Sequence, residues 1–394
     1  MTNNFSTAMR RAMDLTRAAD VTGATRAIQE ALAFGKPQTA DASAGLPDLP
    51  RLPDPDTARV KSPPSGKTRK PAAGRGQKPL SEVLRILKSG RARILDLPAR
   101  PRTPSVTTPQ GAQFLSRVSS MEAGGRRYKV YVPARRDEPL RGMIVMLHGC
   151  QQNADDFAVG TDMNAVAEKH NFIVAYPQQE TSSNAAACWN WFMRAHQLRD
   201  RGEPASIAAI TRTLIAEFNV PSARVFVAGL SAGGAMAAVL AETYPDVYAA
   251  AGIHSGLAYG SATDVMSAFS VMRGDNQPTP AARGNNGAGA ARLIIFQGSA
   301  DATVHPSNAQ RLVNGSADAS WNTTETPAVD CNGRAVVRQI FEDQTGSARI
   351  EVWRIEGAGH AWSGGNASGS FADPKGPSAS DEMVRFFFGD MQSA

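Results

Sequence analysis

The chain of 394 residues carries 42 Lys/Arg against 36 Asp/Glu, a formal net charge of +6, and 42% of it is apolar, enough for one large or two ordinary domains with a sizeable core. No run of about 18 apolar residues offers a membrane-crossing helix, and three cysteines, Cys150, Cys188 and Cys331, are too few for a disulfide scaffold. No CxxC pair or His/Cys cluster has metal-ligand spacing, so neither a metal nor a cofactor is expected.

The first residues, "MTNNFSTAMRRAMDLTRAAD", lack the apolar stretch of a secretory signal, which favours the cytoplasm. Residues 1–35 read as a helical hairpin: Phe5, Ala8, Met9, Ala12 and Met13 recur at helical spacing, "DVTG" interrupts, and Gly35 ends the second helix. Residues 36–112 read as a basic, Pro-rich, largely disordered linker with one short helix at 80–90. Within it, residues 51–102 hold 14 Lys/Arg and 4 Asp/Glu. The rest of the chain is therefore net acidic, which argues against specific nucleic-acid binding by the folded body. The segment itself suits an anionic surface, such as a granule coat or a membrane, or is a solvated linker.

From residue 113 to 394 the pattern changes. "RYKVYVP", "MIVMLHG", "FIVAYPQ", "RVFVAGL", "LIIFQGS" and "IEVWRIEG" are apolar, β-branched runs with helical stretches between several of them. Such alternation predicts an α/β domain: a mostly parallel sheet flanked by helices, with an antiparallel edge from the earliest strands. The closing "SDEMVRFFFGD" predicts a helix laying Met383, Phe386 and Phe387 on the sheet.

"GLSAGG" then raises the chemical question. Ser231 either caps the helix that follows or is a nucleophile held at a strained strand-to-helix turn, where only small neighbours fit. A serine needs a base, and the base an orienting acid, each at the end of a later strand. His360, in the glycine-rich "GAGHAWSGG" after "IEVWRI", is the candidate base; Asp301, after "LIIFQGS", is the candidate acid. Asp264, Asp275 and Asp330 lack a strong preceding strand, and His305 reads as peripheral. His254 either lines the pocket or is a buried histidine with its hydrogen bonds met. The backbone amides of Ala232, after the serine, and of Cys150, after "LHG", are the candidate oxyanion donors. Cys150 and Cys188 lie on loops expected to border the cleft, so the Cys150 thiol is either incidental or paired with Cys188; in a reducing cytoplasm all three thiols are expected free.

Taken together, "LHGCQQNADDFAVGTDMNAVAEKHNFIVAYPQQ", "CWNWF", "VAGLSAGGAMAAVLAETYPDVYAAAGIHSGLAYG", "DATVHP" and "GHAWSGG" resemble the poly(3-hydroxybutyrate) depolymerase family of esterases, related to feruloyl and acetylxylan esterases. The resemblance spans roughly residues 115–390. It implies an α/β-hydrolase fold and a serine hydrolase of carboxylic esters, with Ser231, Asp301 and His360 as its triad. It also implies that Trp189, Trp191 and Trp362 wall a substrate cleft, the alternative being core packing. A polyester, an oligoester of hydroxyalkanoate or a small ester is the expected partner. A feruloyl, acetylxylan or general short-chain esterase is the alternative activity.

Overall fold

The computed structural model describes residues 106–119, 125–135, 138–275 and 290–389. The expected hairpin at 1–35, the expected helix at 80–90 and all of the expected linker 36–112 up to residue 105 lie outside the described residues.

Among the described residues, eleven strands form one sheet. In chain order they are β1 (Gln113–Val118), β2 (Arg127–Val132), β3 (Met143–Leu147), β4 (Ile173–Pro177), β5 (Val225–Leu230), β6 (Ala250–His254), β7 (Arg292–Gly298), β8 (Asn322–Glu325), β9 (Val329–Cys331), β10 (Arg334–Glu342) and β11 (Ala348–Ile355). Six run parallel in the order β4-β3-β5-β6-β7-β11. β2 and β1 extend one edge antiparallel, as expected. The other edge is also antiparallel: β10 pairs with β11 and carries β8 and β9. A small separate pair, β12 (Trp362–Ser363) and β13 (Ala372–Asp373), follows.

The central strands are apolar throughout because helices cover both faces. Successive side chains point to opposite sides, so Val145, Val227, Ile253 and Ile295 join one core cluster and Ile144, Phe226, Ile294 and Phe296 the other. The first cluster takes the buried stripes of α3 (Gly202–Phe218) and α4 (Ala232–Thr243). It also takes those of α5 (Val265–Met272) and α6 (Ser307–Ser316). The second takes α1 (Ala154–Thr161), α2 (Met163–His170) and α7 (Ala379–Phe388). In α7, Met383, Phe386 and Phe387 are buried as expected. The Phe387 ring stacks on Phe226 with centroids 4.8 Å apart. Arg292 donates to the carbonyls of Phe386 and Phe387 at 3.0 and 3.1 Å, satisfying the helix end where a cation is favourable.

All six parallel strands point their carboxyl ends to one edge of the sheet. In an open α/β sheet that edge is where a crevice can form, because the connections leaving it diverge to opposite faces.

Candidate active site

The elbow between β5 and α4 is the most constrained element at this edge. Ser231 has φ 57° and ψ −119°, a conformation costly for a residue with a side chain. Its surroundings dictate that conformation. A Cβ on Gly233 would lie 2.0 Å from the carbonyl oxygen of Leu147, and one on Gly229 would lie 2.4 Å from the backbone of Gly233. The first turn of α4 is thus pressed onto the end of β3, which no side chain would permit. The Ser231 amide donates to the His254 carbonyl at 2.9 Å, and its carbonyl accepts from Ala235 at 2.9 Å. Its side chain makes no capping hydrogen bond, so the reading of Ser231 as a plain helix cap fails.

Beside the elbow runs the turn His148-Gly149-Cys150. A Cβ on Gly149 would sit 3.7 Å from Cβ of Ser231, in ordinary contact. The amides of Gly149 and Gln151 donate to Gln152 Oε1 and the Ala186 carbonyl, at 2.9 and 2.8 Å. The candidate oxyanion donors, the amides of Cys150 and Ala232, belong to this turn and to the first residue of α4.

Asp301 and His360 leave the neighbouring strands β7 and β11. Their loops are joined by backbone bonds, Ser299 to Ile355 and Ala300 to Ala358, both at 3.0 Å. His360 Nδ1 lies 2.8 Å from Asp301 Oδ2. Asp301 Oδ1 accepts from the amides of Thr303 and Val304 at 2.9 and 2.8 Å, and Gln297 Nε2 donates to Oδ2 at 3.3 Å. Burial works to raise the Asp301 pKa. The His360 contact and the two amides outweigh it, holding the carboxyl below its usual range. An ionised carboxylate there accepts the Nδ1 proton, which leaves the lone pair on Nε2.

The four residues expected to contact substrate are all buried. Trp189 is 0% exposed, and its indole nitrogen donates to the His148 carbonyl at 3.1 Å. Trp362 is 1% exposed and donates to Ser380 Oγ. Trp191 is also buried. All three indoles belong to the core clusters, as the alternative of core packing has them. His254 is buried too: its Nε2 accepts from the Ser363 amide at 3.0 Å while its ring stacks on Trp362. Burial pushes its pKa down to about 3, so it stays neutral. It ties the elbow, through its carbonyl, to the loop that carries His360. His305 is peripheral as expected, bonded to Ser307, and Asp264 caps α5.

The expectation of free thiols is corrected. Cys150 and Cys188 form a disulfide, with Cα atoms 4.3 Å apart, because the turn after β3 and the loop after β4 meet beyond the carboxyl ends of these strands. Cys331 is the free cysteine among the described residues. Protein kept from air is expected to yield one reactive thiol on denaturation; three would show the bridge open, as in the cytoplasmic setting assumed from the sequence. Reducing the bridge in folded protein should lower turnover by roughly 3–30-fold, since the Cys150 turn loses one of its ties.

One buried group escaped the sequence reading. Glu203, 3% exposed at the start of α3, accepts from the Asn190 amide at 2.7 Å, from Asn190 Nδ2 at 2.7 Å and from Gln179 Nε2. Burial works to raise its pKa, but His196 and these donors bring it below the usual value. It clamps the loop that carries Cys188 and Trp189. An acidic residue in a first helical turn ordinarily reads as a partner of the helix dipole, so only the clustered polar residues of "CWNWF" and "YPQQ" hinted at more.

Residues 126–324, half of the chain, match the family described as Esterase PHB depolymerase. The chain is 34% identical over 226 residues to poly(3-hydroxyalkanoate) depolymerase C of Paucimonas lemoignei, covering 55% of this chain and 54% of that protein. It is 34% identical over 200 residues to acetylxylan esterase A of Talaromyces purpureogenus, covering 47% and 51%. The chain therefore spans about half the length of these curated relatives. Among solved structures, an acetyl xylan esterase from Aspergillus awamori superposes with a TM-score of 0.54 at 21% identity, over 71% of this chain and 99% of that one. That likeness shows the shared α/β-hydrolase fold. His360 lies beyond the residues the family matches, so its place rests on its 2.8 Å contact with Asp301.

Proposed function

The chain belongs to the esterase PHB depolymerase family, and from that membership and the geometry around Ser231 we propose that it hydrolyses carboxylic esters through an acyl-serine. The observation that carries the reading is the 2.8 Å contact between His360 and Asp301, which follow β11 and β7 in the sheet whose strand β5 ends at the strained Ser231 turn. Ser231 Oγ attacks the ester carbonyl while its proton passes to His360 Nε2. The amides of Cys150 and Ala232 stabilise the oxyanion that forms. As the tetrahedral species collapses, the alkoxide leaves with the proton from His360, and the acyl group stays on Ser231. Water, deprotonated by His360, attacks the acyl-serine; the acid is released and Ser231 regains its proton. Asp301 holds the ring and stabilises its charged form, without itself taking the proton.

For substrate we propose poly- or oligo-(3-hydroxybutyrate) and related hydroxyalkanoate esters, supported by the likeness to a poly(3-hydroxyalkanoate) depolymerase. The similar identity to an acetylxylan esterase favours a second reading, an acetyl or aryl ester of a carbohydrate. A hydrolysis panel separates them: 4-nitrophenyl esters of rising chain length, hydroxybutyrate oligomers, amorphous polymer, acetylated xylan and methyl ferulate. Hydroxybutyrate oligomers should give the highest kcat/KM; a higher value on acetylated xylan would move the assignment to the second reading.

The basic segment 51–102 is proposed to hold the enzyme on an anionic surface. Removing residues 1–110 leaves every described strand in place, so turnover on a soluble ester should stay within about threefold. Binding to anionic vesicles should weaken, and the difference should shrink with salt as screening shortens the reach of exposed charges to about 8 Å. Equal binding at low salt would leave the segment a linker.

A further inference from the structure

Resting on the reading of the Cys150 amide as an oxyanion donor, we propose that His148 is a positioning residue for that amide, acting through the carbonyl of Gly149. The His148 ring is buried, 1% exposed. Its Nε2 accepts a hydrogen bond from the Gln179 amide at 3.0 Å, so that nitrogen carries the lone pair. The one N–H of the neutral ring is then on Nδ1, and Nδ1 lies 2.8 Å from the Gly149 carbonyl oxygen, to which it donates. Burial, the largest influence, pushes the His148 pKa down to about 4, so this tautomer persists across neutral pH.

The consequence follows from the peptide group. The Gly149 carbonyl and the Cys150 N–H belong to one planar unit, and the described peptide bonds include none in the cis form. In a trans peptide the C=O and N–H point in opposite directions. A donor fixed on the oxygen therefore aims the N–H the other way. It also draws electron density toward the oxygen, which makes the N–H a stronger donor, as in other chained hydrogen bonds. Two further ties limit the tilt of the unit: the Trp189 indole on the His148 carbonyl and the Cys150–Cys188 bridge. His148 touches no reacting atom. Its effect falls on the charged transition state more than on bound ester, so it acts on kcat.

Two substitutions divide its two hydrogen bonds. In His148→Asn the side-chain nitrogen takes the place of Nδ1 and keeps the donation to Gly149. In His148→Gln the side-chain oxygen takes the place of Nε2, keeping the Gln179 bond and losing the donation. On 4-nitrophenyl butyrate, H148N should keep kcat within about threefold, while H148Q should lose roughly 10–100-fold in kcat with KM within about twofold. The inhibition constant of a trifluoromethyl ketone, whose adduct carries the oxyanion, should rise in H148Q by the same factor as kcat falls. Equal losses in the two variants, or a loss in KM alone, would overturn the inference. Wild-type turnover and ketone inhibition are measured first: their absence overturns the esterase reading and this inference with it, whereas their presence with equal losses overturns this one alone. Should neither variant fold, ring nitrogen shifts of His148 in the wild-type protein decide. A protonated Nδ1 and bare Nε2 from pH 5.5 to 8 support the inference, and a protonated Nε2 overturns it.

Discussion

Ser231→Ala should lower turnover on a soluble short-chain ester by on the order of 10³-fold or more, since the attacking atom is gone and only binding and the oxyanion donors remain. The fold should be untouched. The hydroxyl caps nothing, and the strained backbone is set by Gly229, Gly233 and the end of β3, not by the side chain. A change within about 0.5 kcal/mol, roughly 2 °C in melting temperature, is expected. Labelling by a fluorophosphonate probe, stoichiometric in the wild-type protein, should vanish. A variant that keeps more than a tenth of its turnover would remove Ser231 from the mechanism.

Asp301→Asn should cost a comparable factor, and the surrounding bonds say why. Oδ1 receives two backbone amides, from Thr303 and Val304, that no neutral rearrangement can displace. Asparagine must therefore turn its oxygen to those amides and its NH₂ toward His360. Two donors would then face each other unless the ring gives up its Nδ1 proton and carries it on Nε2. In that tautomer His360 cannot take the serine proton, and turnover should fall by roughly 10⁴-fold. Some stability should go as well, because Gln297 Nε2 also loses an acceptor. Melting curves and kcat on one preparation separate the two effects. Near-normal turnover in a folded variant would show that another carboxylate orients the ring.

The parallel half of the sheet was legible because each strand there is buried on both faces and reads as an unbroken apolar run, as "MIVML" does. The far edge was not. β8, "NTTE", is exposed at every position, and β10 is mostly half-buried with an irregularity between Phe341 and Glu342, so neither shows the alternation that marks a strand. The site divides the same way. Ser231, Asp301 and His360 sit where strands end, and chain order alone points to them. Which way a side chain turns is another matter. Trp362, two residues beyond His360, is buried in β12, and Trp189 and Trp191 are buried as well, Trp189 against His148. Sequence spacing gives neighbours along the chain but not the facing of an irregular loop. For the same reason the Cys150–Cys188 pairing needed the two loops to be seen meeting.

The order of strands across the sheet differs from their order along the chain, and this bears on how the protein is made. Translation delivers the chain from its N-terminus at about 5–20 residues per second. β3 and β5, which pair with each other, emerge long before residue 360, so the chain that builds the Ser231 elbow is complete while the base is still unmade. β11 adds beside β7 only after the intervening α6 and the β8–β10 edge have emerged, and His360 follows it. A ribosome-bound chain halted before residue 360 therefore holds a nucleophile with nothing to activate it. On the proposed mechanism the nascent chain is inert by topology, and hydrolysis waits for the last parallel pairing, that of β11 with β7.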